Sequence, residues 1–169
     1  MVICDWLFGA RRLSRAPVLV CVVIVSACAQ PTGPDSVQGE IPVQLIVSES
    51  YSGFDEPERL VVRDALAWAF VWTRIYENVS SQPPLPAIDF SKEQVIVAAT
   101  GARPSSGYSI RITGASGSGN AITVRLESQS PGPGCVVLTS ITHPVTVAKM
   151  GRTVESVVFE ETPTVKTCG

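Results

Sequence analysis

Val95-Ile96-Val97-Ala98-Ala99 is an unbroken apolar run, preceded by Glu93-Gln94 and followed by Thr100-Gly101. A run this short, bounded by polar and turn residues, fits a strand in the middle of a sheet better than a helix. Apolar residues alternate on either side of it: Ile41, Val43, Leu45 and Val47, then Tyr108, Ile110 and Ile112, then Ile122, Val124 and Leu126. That period of two is the mark of half-buried strands. Cys135–Leu138, Pro144–Ala148 and Val157–Phe159 are the remaining expected strands, and Gly114–Asn120 reads as a flexible hairpin loop. One stretch has a helical pattern instead. Asp55-Glu56-Pro57-Glu58 reads as a helix start, with Asp55 as cap, Pro57 in the first turn and Glu58 placed as in a capping box. Val61, Ala65, Trp68, Trp72 and Ile75 then share one face, and the helix is expected to run to about Glu77, before the Pro-rich Ser80–Pro86. Two Trp on one face suit either a ligand platform or a helix packed onto a sheet, and the aliphatic residues beside them favour packing. The expected fold is α+β: a mainly antiparallel sheet or small sandwich with one amphipathic helix against it.

The N-terminus points to export. Arg11, Arg12 and Arg15 precede an uncharged apolar run from Pro17 to Ala27. The run is shorter than the roughly 20 residues of a membrane-spanning helix, and a basic flank before a short apolar core reads as an export signal. It ends at Val25-Ser26-Ala27-Cys28, which resembles the lipobox of bacterial lipoproteins. By that resemblance residues 1–27 are a signal peptide and Cys28 accepts the lipid. A short membrane anchor, or a plain secretory signal with Cys28 incidental, is the alternative. Acyl chains contribute about 0.8 kcal/mol per buried methylene, so two or three hold a protein on a membrane stably. Ala29 stands where enteric bacteria place an Asp to retain lipoproteins at the inner membrane, so the outer membrane is the expected destination in a cell that has one. Residues 28–40, with Pro31, Gly33, Pro34 and Gly39, read as a flexible tether, and residues 41–169 as one domain.

Cleavage before Cys28 leaves 142 residues (169 less the first 27). It removes three Arg and one Asp, so 10 of 13 basic and 14 of 15 acidic residues remain and the net charge moves from −2 to −4. That balance does not suit nucleic acid. Of five cysteines, Cys4 and Cys21 leave with the signal and Cys28 takes the lipid. Cys135 and Cys168 remain, an even pair in an oxidising compartment, and are expected to form a disulfide. Two cysteines and one histidine do not make a four-ligand metal site, and no cofactor is expected.

Catalytic patterns are sparse. His143 is the single histidine, and it precedes Pro144, which holds it extended. The chain has no Gly-x-Ser-x-Gly elbow, no P-loop, no dinucleotide fingerprint and no His-Glu-x-x-His. The carboxylates Asp55, Glu56 and Glu58 are accounted for by helix capping. No enzyme activity is expected. Arg103-Pro104-Ser105-Ser106-Gly107-Tyr108 joins two expected strands, and is either a binding loop on the rim of the sheet or an ordinary connection.

Tyr51-Ser52-Gly53, Ala67-Trp68-Ala69-Phe70-Val71-Trp72, Leu85-Pro86-Ala87-Ile88-Asp89-Phe90, Arg103–Ile110, Pro131-Gly132-Pro133-Gly134-Cys135 and Thr142-His143-Pro144 occur in that order. Together they resemble the protease-complex subunit PrcB family, over roughly Ile41 to Val147. The resemblance implies an exported lipoprotein that assists a surface protease complex and catalyses nothing. Its partner would be an exported protein, a protease among the candidates, and its membrane contact the lipid on Cys28. Arg103, Pro104, Ser105, Ser106, Gly107 and Tyr108 would form the contact loop, with His143 and Pro144 beside it. The family more often has Thr-Gly-Gly-Tyr where this chain has Ser105-Ser106-Gly107-Tyr108. The same loop is similar to the Pro-Thr-Thr-Gly-Tyr loop of chagasin-like cysteine-protease inhibitors at Pro104, Gly107 and Tyr108, though the other two inhibitor loops are poorly met. Inhibition and a purely structural envelope role stand as alternatives.

Overall fold

The computed structural model describes residues 39–168. The signal, Cys28 and most of the tether lie outside them. Eight strands and one helix follow in chain order: β1 (Gly39–Ile41), β2 (Val43–Glu49), β3 (Pro57–Val62), α1 (Ala65–Ile75), β4 (Glu93–Thr100), β5 (Ser109–Ser118), β6 (Ala121–Pro131), β7 (Val145–Gly151) and β8 (Ser156–Lys166). They form two four-stranded sheets, ordered β1-β5-β6-β8 and β2-β7-β4-β3.

The apolar run in β4 is explained by its position. Val95, Val97 and Ala99 pack under α1 with Trp68, Trp72 and Ile75. Ile96 and Ala98 point the other way, to Ile110, Ile122, Val124 and Leu126 of the opposite sheet. A strand covered on both faces has no polar side to show. The molecule is therefore an α+β sandwich with a helix as third layer.

α1 begins later than its sequence pattern predicts. Asp64, not Asp55, caps it, accepting a hydrogen bond from the Ala67 N–H at 2.8 Å. Pro57–Val62 pairs antiparallel with β4 instead. Pro57 is tolerated as the first residue of an edge strand, and Leu60-Val61-Val62 completes the sheet. Val61 consequently turns to the second core, and Ala65 is exposed. The Trp pair is no ligand platform. Trp68 and Trp72 are 2% and 3% exposed, and their indole N–H groups donate to the carbonyls of Pro86 and Pro83, each at 3.0 Å.

Two further expectations are corrected. Gly114–Ser118 is strand, not loop, paired to β6 throughout and to β1 at its far end; only Gly119-Asn120 turns. Gly114 follows a bulge after Ile112, and a Cβ there would lie 2.6 Å from Arg125 Nη2. Cys135–Leu138 is not a strand, and Val136 is 99% exposed.

β6 and β8 are parallel, in register from Ala121↔Ser156 to Pro131↔Lys166. The chain leaves β6, returns through β7 in the other sheet and re-enters beside β6 in the same direction. Their C-terminal ends thus finish side by side. Cys135 and Cys168, just beyond, form a disulfide with Cα atoms 5.1 Å apart.

Candidate functional site

Three connections meet at the end of the sandwich where β2, β4 and β6 finish: residues 50–56, 101–108 and 132–144. The sequence-expected residues are brought together there, and several face inward. Arg103 and Thr142 exchange backbone hydrogen bonds of 2.7 and 3.0 Å, and Arg103 Nη2 donates to the Thr100 carbonyl at 2.9 Å. Its guanidinium lies 5.8 Å over the Tyr108 ring. Its charge also reaches Glu161. Burial pushes the Glu161 carboxyl up, but the Ser128 hydroxyl, the Arg59 hydrogen bond and the Arg59 and Arg103 charges together hold it below its ordinary range. Arg103 thereby organises the loop rather than offering a free cation.

Ser105 and Ser106 lock the loop to its neighbour. The Ser105 carbonyl accepts from the Thr142 hydroxyl at 2.9 Å. The Ser106 N–H donates to the Leu138 carbonyl at 2.9 Å, and the Leu138 N–H returns a bond to Ser106 Oγ at 2.8 Å. Pro104 and Gly107 are exposed between these anchors. Gly107 has φ +90°, and a Cβ there would come within 3.2 Å of Pro131 and 3.3 Å of Val137.

His143 and Pro144 belong to the scaffold. Pro144 is buried, and its carbonyl accepts from the Thr100 N–H at 2.9 Å. The His143 carbonyl accepts from the Ser52 hydroxyl at 2.7 Å, so that hydroxyl reaches the backbone of His143 and not its ring. The ring Nε2 stands 3.3 Å from Asp55 Oδ1 and pairs with it as an ion when protonated. Among the described residues no three His, Cys, Asp or Glu side chains gather as metal ligands.

Apolar groups project from this end, beside the exposed carboxylates of Asp55 and Glu56. Val136, Leu138 and Ile141 are 99%, 69% and 64% exposed, and Tyr51 is 43% exposed. Sequence reasoning placed the first two in a strand and passed over Ile141. The signal that would have found them is four branched apolar residues, Val136, Val137, Leu138 and Ile141, in a segment opened by Pro131-Gly132-Pro133-Gly134 and stapled at Cys135. Clefts of about 300, 250 and 180 Å³ open beside β1, β2 and Met150, away from these loops. The exposed aliphatic side chains of the loop end suit contact with another macromolecule.

Residues 94–151 match the family model described as PrcB C-terminal. The match spans 58 of the 169 residues, and over them the chain is similar to that family. The PrcB C-terminal segment runs from β4 to β7 and so includes both the 101–108 and the 132–144 loops, while α1, β8 and Cys168 lie outside the match. No curated protein and no solved structure matches the chain.

Within the PrcB C-terminal segment, Gly101 ties the loop to its base. It has φ +75°, and a Cβ would lie 2.9 Å from Asp55 O, Glu56 C and Pro57 Cδ. Gly101→Ala is expected to cost about 1–3 kcal/mol, read as a shift in urea midpoint. Gly119→Ala, at φ +60° with nothing within 4 Å, should cost less. Equal losses would mean that the contact with Asp55–Pro57 is easily relieved.

Proposed function

We propose that this protein is an exported, lipid-anchored binding module that stabilises or recruits an exported protein, and that a protease is the first partner to test. The observation that carries the reading is the exposed apolar trio Val136, Leu138 and Ile141, set on a loop pinned to a rigid sandwich and stapled at its base. Exposed aliphatic groups on an ordered scaffold bind without a large ordering cost. The PrcB C-terminal match supports a protease-complex accessory role, because it spans both loops. Catalysis has no part in the proposal. The export signal and Cys28 support a place in the cell envelope, on the outer membrane where there is one.

The test is affinity capture from native envelope extract with the tagged, acylated chain, beside Leu138→Asp and Tyr108→Ala chains. One exported protein is expected in the first lane and at least tenfold less of it in the Leu138→Asp lane, a loss of about 1.4 kcal/mol or more. Equal recovery in all lanes would remove the loop end as the contact. Inhibition is the competing reading, because Pro104 and Gly107 stand exposed on the 101–108 loop. Stoichiometric slowing of a papain-like protease would select it, and an unblocked active site in the captured complex would select the accessory role.

A further inference from the structure

α1 lacks the polar face that a surface helix carries. Trp68, Trp72 and Ile75 face the sheet, and the opposite side presents Leu66 and Phe70, 70% and 69% exposed and one helical turn apart. The exposed polar residue beside them, Thr73, turns its hydroxyl to the Ala69 carbonyl at 3.1 Å. Pro83 and Pro86 are tied to the two Trp rings, which sets Leu85, 46% exposed, alongside the helix. Ala65 to Ala87 holds two charged residues, Arg74 and Glu77. Arg74 is turned to Glu58 and the Gly53 carbonyl, and Glu77 lies against Gly53, so both sit at the end of the helix away from Leu66. A helix that is apolar on both sides belongs in an apolar setting.

We infer that the outward face of α1, with Leu66, Phe70 and Leu85, seats in the boundary between headgroups and acyl chains of the membrane that holds the Cys28 lipid. The inference rests on lipidation of Cys28, which belongs to the proposal above. Reach allows it. Eleven residue steps separate Cys28 from Gly39, and an extended chain covers about 36–40 Å over that distance. β1 lies in the sheet farther from α1, and with layers roughly 10 Å apart the outer helix face is about 25 Å from it. The chemistry favours lipid over a charged partner. Leu66, Phe70 and Leu85 match an acyl boundary, with the exposed cap Asp64 at its headgroup edge, and the acyl anchor keeps the domain at the bilayer, so a small apolar patch suffices.

The mature chain carries its own reporters, since Trp6 leaves with the signal and Trp68 and Trp72 remain. Both indoles lie within one helix diameter of the face in question. The experiment uses the full chain, processed in a cell, checked for acylation by intact mass, and reconstituted into phosphatidylethanolamine–phosphatidylglycerol vesicles with brominated acyl chains. Trp emission is expected to fall relative to unbrominated vesicles. In the Leu66→Gln/Phe70→Gln chain it should return to the unquenched level, with near-ultraviolet circular dichroism unchanged. Leu85→Gln should recover it in part. An acylated chain whose Trp emission is not quenched, or a double variant quenched as strongly as the parent, overturns the inference and leaves lipidation standing. A chain without acyl groups overturns the anchor, and the seated face with it.

Discussion

Trp68→Ala is expected to remove about 3–5 kcal/mol of stability. That is a large share of the 5–15 kcal/mol that holds a typical domain together. The side chain is 2% exposed, sits on Val95, Val97 and Ala99, and touches Trp72 with ring centroids 5.2 Å apart. Its truncation leaves a cavity between helix and sheet and strands the Pro86 carbonyl without its donor. Trp68→Phe separates the two effects. It keeps most of the apolar surface and loses the hydrogen bond, for a cost of about 1–3 kcal/mol. Phe70→Ala, two residues on but 69% exposed, should move the midpoint by less than about 0.5 kcal/mol in solution. Urea unfolding of Cys28→Ser chains followed by circular dichroism gives all three values. A loss under 1 kcal/mol for Trp68→Ala would mean that α1 adds little to the stability of the sandwich.

The parts of the fold that were legible in the sequence are those set by local pattern. Val95–Ala99 announces a strand covered on both sides because nothing polar interrupts it. Cys135 and Cys168 announce their bond because the expected signal and lipid account for the other three cysteines. The misread parts are decided by distant neighbours. Asp55-Glu56-Pro57-Glu58 satisfies every local rule for a helix start, yet the open edge of β4 claims Pro57–Val62, and the cap moves to Asp64. Gly114–Ser118 has loop composition but lies between β1 and β6, whose pairing overrides it. At the candidate site the loop between β4 and β5 was legible from its Pro, Ser and Gly residues. The inward turn of Arg103, His143 and Pro144 was not, because Arg103 pairs with Thr142, His143 with Ser50 and Ser52, and Pro144 with Thr100, all far away in sequence. Nor was the exposure of Val136 and Leu138, whose unbroken apolar run with Val137 mimics a strand that finds no partner.

Removing the disulfide as Cys135→Ser/Cys168→Ser is expected to cost roughly 3.5–4 kcal/mol, the loop-closure entropy of a 33-residue separation. The loss should be uneven across the molecule. β6 and β8 are held by an eleven-residue parallel register, and the second core lies under their middle, so the sheet itself should survive. At their ends the Gly132 N–H donates to the Lys166 carbonyl at 3.1 Å, and beyond that the loop depends on Ser106 and Arg103. With few backbone bonds and three outward aliphatic groups, residues 132–142 are the segment least able to hold their shape once the staple is gone. Amide hydrogen exchange there should accelerate well before that of β4 or β7. Partner capture by the reduced chain should fall at temperatures where circular dichroism still reports a folded sandwich. If exchange in 132–142 is the same with and without the bond, the loop is held by its contacts with Ser106 and Arg103, and the disulfide acts on the unfolded chain alone. If exchange rises but capture does not, the bound partner restores the loop, and the contact surface forms on binding rather than before it.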